Sequence, residues 1–329
     1  MTPFRYIRAA NPASALAASE ANPHAAFLAG GTTLLDLMKV DVEQPRVLID
    51  ISTLPTTAIS FEGDVLHIGA LATNTAIATS PAVKQHFTLL SEAILSGASA
   101  QIRNMATAGG NLLQRTRCAY FRNTALPCNK RSPGSGCGAW DGYNRTHAIL
   151  GGSEHCIATH PSDMAVAITA LDAAVLTRNS AGEERRVRIR EFYRLPGSTP
   201  QIETVLRHGE LIIAIEIPAL PAGSRSIYKK VRDRASFEFA LSSAAVVLHV
   251  RDGRIQESRI ALGGVATIPW HVPQAEGLLQ GNEPNADLFQ RAATAALNGA
   301  IPRPHNAFKP ELARRTLIAA LTEAAELNG

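Results

Sequence analysis

The sequence predicts an α+β protein of two domains, on three observations. First, 329 residues with 46% hydrophobic content exceed what one hydrophobic core usually holds. Second, the N-terminal two-thirds alternates short apolar strands with helical stretches joined by glycine-rich turns, the pattern of layered α/β units. Third, beyond LPAGSRS (Leu220–Ser226) the pattern changes to strands in antiparallel order followed by helices. Residues 1–222 are therefore assigned to a first domain of two α/β subdomains, and 223–329 to an α+β second domain.

Alanine spacing over Ala13–Ala21 predicts a helix, and Ala26–Ala29 a short apolar strand. Ala26, Phe27, Leu28 and Ala29 then lead into the turn Gly30, Gly31, Thr32, Thr33 and Leu34, which opens a helix to Lys39; RVLIDI (Arg46–Ile51) follows as a strand. Adjacent glycines without Cβ atoms let backbone approach a ligand closely. Several N–H groups and two hydroxyls converging there suit a diphosphate. No Gly-Lys-Ser/Thr follows and the spacing is not G-x-G-x-x-G, so neither a P-loop nor a dinucleotide fingerprint is present.

Val65–Leu71 predicts a strand, Ala76–Ser80 the start of a helix, and Leu89–Ser96 an apolar helix. A second glycine turn follows at Thr107, Gly109, Gly110 and Asn111. Two such turns in one domain can grip a dinucleotide from two sides. Thr159–Arg178 reads as a helix running into a strand, with Pro161 near the first helical position and Ser162 and Asp163 near the cap. Asp163 is either a helix-start acid favoured by the dipole or an acceptor for a sugar-type hydroxyl. Asn179–Glu183 is a turn, Arg185–Arg190 a basic strand, and Gly209–Pro218 a buried strand. In the second domain, helices are expected at Pro284–Asn298 and Glu311–Leu327.

All four cysteines of the chain, Cys118, Cys128, Cys137 and Cys156, fall within 39 residues of a Gly-, Asn-, Arg- and Pro-rich stretch. Core thiols would not confine themselves to one loop. Gathered thiolates suit an iron–sulfur cluster or zinc. Their intervals of nine, eight and eighteen residues lack the C-x2-4-C knuckles of structural zinc and favour a loop wrapped around a cluster. Two disulfides are the alternative, though a long chain with a sizeable core has less need of them. His147, His155 and His160 lie close enough to ligate, but four cysteines already complete a four-iron cluster, so they read as surface or neighbouring groups.

The formal charge is +4 and charged residues make up 18%. No apolar run reaches the roughly 18–20 residues of a membrane span. Basic clusters (Arg115, Arg117, Arg122, Lys130, Arg131; Lys229, Lys230, Arg232, Arg234) have few aromatics between them, which argues against nucleic acid. They read mainly as solvated faces. The N-terminus has no uninterrupted apolar segment of the kind a secretory signal carries.

Six blocks, FLAGGTTLLDLMK, IRNMATAGGNLLQ, HPSDMAVAITALDA, ELIIAIEIP, YKKVRDRASFEFALSSAAVV and ALGGVATIPW, together resemble the FAD-binding medium subunits of the molybdenum hydroxylases, the xanthine and carbon monoxide dehydrogenase family. The cysteine loop, absent from most members, makes the chain similar to the FAD and 4Fe-4S subunits of bacterial aldehyde oxidoreductases. The resemblance implies a PCMH-type, vanillyl-alcohol-oxidase-like FAD domain and a carbon monoxide dehydrogenase flavoprotein-like C-terminal domain. It implies that Ala26–Leu34 and Thr107–Asn111 hold the FAD diphosphate, Asp163 the ribityl side, and that Ile213 and Lys230 lie near the flavin. It further implies that the four cysteines ligate a 4Fe-4S cluster. Partners would be a large molybdenum-cofactor subunit and a small [2Fe-2S] subunit, with an external electron acceptor. The chain would be cytoplasmic, or periplasmic by co-export with a signal-bearing partner. After Lys230 the sequence departs from the family's Arg-Arg and acidic pair, reading Val231-Arg232-Asp233-Arg234. Alternatives are a hydroxybenzoyl-CoA-reductase-type flavin subunit, a zinc or assembly module, and an oxidase with covalent FAD; the first loop offers no His or Cys for that linkage.

Overall fold

The computed structural model describes residues 1–326. Strands β1 (Arg5–Arg8), β2 (Ala25–Leu28) and β3 (Val47–Asp50) form a parallel sheet in the order β1-β3-β2. Central β3 is buried along its whole length, as its continuous apolar reading requires. The helix Pro12–Glu20 makes the crossover from β1 to β2. A reciprocal Asn11–Ser14 capping box and Pro12 in its first turn fix where it starts. Strand β1 escapes sequence reading because it is a four-residue edge strand with arginine at both ends and only Ile7 partly buried.

Strands β4 (Ile59–Glu62), β5 (Val65–Gly69), β6 (Ala174–Arg178), β7 (Glu184–Arg188) and β8 (Leu211–Pro218) form the second sheet, in the order β4-β5-β8-β6-β7. It is antiparallel throughout. The β4–β5 hairpin turns on Gly63 and Asp64, both with positive φ (54° and 63°), as a tight two-residue loop demands. Helices Asn74–Thr79, Thr88–Ser96 and Asp163–Ala170 cover this sheet. Phe87, Leu90, Ile168 and Ile215 are fully enclosed in the core between them. Pro161 lies outside the last of these helices: Ser162 is the N-cap and Asp163 the first helical residue.

Strands β9 (Arg225–Val231), β10 (Ser242–Arg251), β11 (Arg254–Gly263) and β12 (Trp270–His271) form an antiparallel sheet in the order β12-β11-β10-β9. Helices Pro273–Leu279, Ala286–Ala295 and Lys309–Glu326 cover one face. Leu327, the expected end of the last helix, lies outside the described residues. The opposite face meets helices Thr88–Ser96 and Asp163–Ala170. This packing sets β9 against the start of the Asp163 helix, where the site is built. Among the described residues, no helix is long and apolar enough to cross a membrane.

Candidate cofactor groove and cysteine pocket

The two glycine turns meet. A Cβ placed on Gly30 would stand 1.7 Å from the Met105 carbonyl oxygen, so only glycine lets the first turn close on the second. Gly31 has φ +71°, a conformation glycine adopts without strain. Thr33, at the start of the helix Leu34–Lys39, makes no capping hydrogen bond, so that helix's first N–H groups receive no side-chain acceptor. In the second turn Thr107 caps the helix Ala108–Leu112 and accepts from Gly110 N at 3.3 Å. Asn74 N bonds to Ala106 O at 2.8 Å and Gly109 N to Ala70 O at 2.8 Å, which sews the turn onto the end of β5.

Two cavities flank this junction and share Thr32, Thr33, Gly110 and Gln114 as a common wall. One, about 460 Å³, is lined by Ala26, Phe27, Ala29, Leu34, Leu112 and Tyr193. The other, about 480 Å³, is lined by Ile94, Ile102, Asn111, Met164, Asp163, Lys230 and Phe239. Each falls in the roughly 300–1,000 Å³ range of cofactor sites. A long, two-headed ligand whose charged middle crosses the glycine junction matches this shape. Asn74 Oδ1 is buried with no hydrogen-bond partner and belongs to the second cavity's lining. An orphan acceptor there calls for a ligand donor. No sequence pattern singles out Asn74.

Of the expected residues, the structure brings Ala26, Phe27, Ala29, Gly30, Gly31, Thr32, Thr33, Leu34, Thr107, Gly110, Asn111, Asp163 and Lys230 to these cavities. It does not bring Leu28, Gly109 or Ile213 there. Gly109 packs against Ala70 instead, and Ile213 sits at the irregularity in β8 where the pairing with β6 shifts. Asp163 is already engaged on both oxygens: Tyr228 Oη donates to Oδ1 at 2.7 Å and Lys230 Nζ to Oδ2 at 2.8 Å. Burial, then the Asp163 charge, holds the Tyr228 phenol well above its ordinary range.

The basic cluster from Arg115 to Arg131 is not a solvated face, whereas Arg234 of the second cluster is exposed. Arg115 bridges Glu43 and Glu203, Lys130 Nζ meets Glu203 at 2.8 Å, and Arg117 and Arg122 both pair with Asp36. Arg131 donates to the carbonyls of Tyr120 and Phe121 at 2.8 and 2.7 Å. Burial alone would raise the Glu203 carboxyl, but Arg115 and Lys130 outweigh it and hold it below the usual range.

The cysteine loop is mostly irregular, and side chains hold it together. Asn129 Oδ1 accepts from Gly134 N and Gly136 N at 3.1 and 2.9 Å, and its Nδ2 reaches His155 O at 3.1 Å. Tyr120 lies so close over Gly138 and Gly142 that a Cβ at either would come within 2.5 Å of its ring or hydroxyl. Cys118, Cys128, Cys137 and Cys156 all line one small pocket, and all four thiols are free. Burial, first of all, pushes the Cys118 thiol up to about 12 and the Cys156 thiol up to about 11. Among the described residues no group of three or more His, Cys, Asp or Glu side chains is placed to hold a metal ion, so the expected four-cysteine metal site is not formed by this geometry alone. The donors on that pocket are all soft sulfur, the ligand type that iron–sulfur clusters and zinc both take. A third cavity, about 180 Å³, has Cys118, His147, His160 and Asp163 in its lining.

Residues 2–220 match the FAD binding domain in molybdopterin dehydrogenase, and residues 226–324 match the CO dehydrogenase flavoprotein C-terminal domain. The chain belongs to this family of FAD-binding oxidoreductase subunits, the molybdenum hydroxylase flavoproteins. It is 48% identical, over 98% of its length and 99% of the relative's, to the aldehyde oxidoreductase FAD-binding subunit PaoB of Escherichia coli. It is 28% identical to the glyceraldehyde dehydrogenase medium chain of Sulfolobus acidocaldarius, over 88% of this chain and 86% of that one. Its fold matches a solved carbon monoxide dehydrogenase of Hydrogenophaga pseudoflava with a TM-score of 0.78 and 26% identity, covering 99% of this chain and 98% of that one.

Proposed function

We propose that this chain is the electron-transfer subunit of a molybdenum-dependent aldehyde oxidoreductase. It would assemble with a large molybdenum-cofactor subunit and a small [2Fe-2S] subunit, and pass their electrons through FAD to an external acceptor. The reading is carried by the two-chambered groove closed at Gly30 and Met105, in a chain 48% identical to an aldehyde oxidoreductase FAD subunit. FAD supplies the exchange between two-electron and one-electron chemistry; the chain binds, orients and shields it. Gly30, Gly31, Thr32, Thr33, Thr107 and Gly110 would receive the diphosphate, and Asn74 Oδ1 a ligand hydroxyl or N–H. Asp163, fixed by Tyr228 and Lys230, keeps a charged pair at the groove wall.

In the same reading Cys118, Cys128, Cys137 and Cys156 ligate a 4Fe-4S cluster. The four free thiols on one pocket support it. The test is an absorbance spectrum, iron and sulfide analysis and dithionite-reduced EPR of anaerobically purified protein. FAD with about four irons is expected for the wild type, and loss of the iron signal in Cys128→Ser. The isolated chain should carry flavin yet oxidise no aldehyde. Aldehyde turnover by the chain alone would refute the electron-transfer assignment, and a colourless zinc protein would refute the cluster.

A further inference from the structure

His147 stands 29 residues from Cys118 in sequence, yet its Nε2 lies 3.1 Å from Cys118 Sγ. The ring is 3% exposed. Its other nitrogen, Nδ1, is buried with no partner. A proton on Nδ1 would leave an unsatisfied buried donor, so the neutral ring carries its proton on Nε2, facing the sulfur. A metal-ligating cysteine is a thiolate and can only accept.

The ring's placement is set from the second domain. Lys309 has no exposed surface and donates to the carbonyls of His147, Thr146 and Gly264 at 2.9, 3.0 and 2.6 Å. Asn306 Nδ2 also reaches the carbonyls of His147 and Asn144, both at 3.2 Å. The start of the last helix thus clamps the segment that carries the imidazole. The clamp touches no cysteine; backbone N–H groups of Phe121 and Tyr120 also bear on the Cys118 sulfur, and the imidazole adds a side-chain contact to it.

We propose that His147 donates a hydrogen bond from Nε2 to the Cys118 thiolate and so sets the redox potential of the iron–sulfur centre. This rests on the cluster reading above. Hydrogen bonds to cluster sulfurs stabilise the extra negative charge of the reduced state and raise the potential. His147 is a positioning and tuning residue, acting through Cys118 rather than on substrate or flavin.

The test is an EPR-monitored dithionite titration of the anaerobically purified full chain, with iron and sulfide counted in each sample. His147→Leu should retain its iron with a midpoint shifted to lower potential, and His147→Gln, which keeps an N–H donor, should fall between it and wild type. An unchanged midpoint in an iron-loaded His147→Leu would overturn the inference and leave the cluster standing. Wild-type protein without iron and sulfide would instead overturn the cluster, and the inference with it. Should His147→Leu hold no iron, wild type grown with 15N-histidine decides by its reduced-state hyperfine spectrum. One weakly coupled histidine nitrogen is expected; none, or a coupling of the strength of a direct iron–nitrogen bond, overturns the proposal.

Discussion

Lys230 and Asp163 meet at 2.8 Å across 67 residues of sequence, on side chains only 4% and 10% exposed. The pair joins β9 of the second domain to the first turn of a helix in the first. Lys230 also reaches Ser96 O at 3.2 Å, and Arg232 the same carbonyl at 2.6 Å. One small set of charges therefore fixes both the domain contact and the groove wall.

Lys230→Met should do more than alter flavin reoxidation. It strands a buried carboxylate, which typically costs about 3–5 kcal/mol. Asp163→Asn in the same chain should restore much of that stability, because no uncompensated charge then remains. Urea unfolding of both single variants and the double variant measures the coupling. Additive losses would mean that the pair contributes no interaction energy.

Gly30→Ala should abolish flavin retention, since its Cβ would overlap the Met105 carbonyl at 1.7 Å. Gly110→Ala meets only the Thr107 hydroxyl at 3.0 Å and should keep much of its flavin. The ratio of flavin to protein absorbance after gel filtration reads the contrast.

His160 is edge-on to Tyr193, with ring centroids 4.6 Å apart. It is partly accessible, but it walls two of the interior cavities. Burial lowers its pKa from 6.5 to about 4. Between those values the unfolded chain binds a proton that the folded chain refuses, so stability rises with pH from about 4 to 6.5. The difference between those values sets a ceiling of about 3.5 kcal/mol at about 1.4 kcal/mol per pH unit, reduced by water in the cavities. His160→Phe should flatten that part of the pH–stability curve in urea melts taken every half unit.

Glu203 holds the cysteine loop to the groove through Lys130 and Arg115. Glu203→Gln leaves two largely buried cations short of a counter-charge and should cost about 3 kcal/mol. Thermal unfolding checks this. Faster reaction of the cysteines with a thiol reagent in the metal-free protein would show that the loop has loosened. A melting curve identical to wild type would mean that the tether is dispensable.

Much of the fold is legible locally. The helix near Pro12, β3, β8 and the two glycine turns announce themselves by caps, continuous apolar runs and missing Cβ atoms. Strand β1 does not, because a charged edge strand carries little burial signal. The short helix Pro273–Leu279 passes unnoticed for a similar reason, having only Ala275 and Leu279 buried. The basic cluster around Arg115 misleads because ion pairing is nonlocal: nothing near Arg115 in sequence predicts Glu43 or Glu203.

By itself the sequence determined which chemistry was available: two turns able to admit a diphosphate, and four soft sulfurs confined to one loop. Local backbone permissiveness and residue type settle those points. Only the tertiary structure decided that Gly30 abuts Met105, that Asp163 faces Lys230 rather than standing free, and that His147 turns toward Cys118. These contacts join segments dozens of residues apart, and their geometry follows from how sheets and helices pack around the cores, which no local pattern encodes.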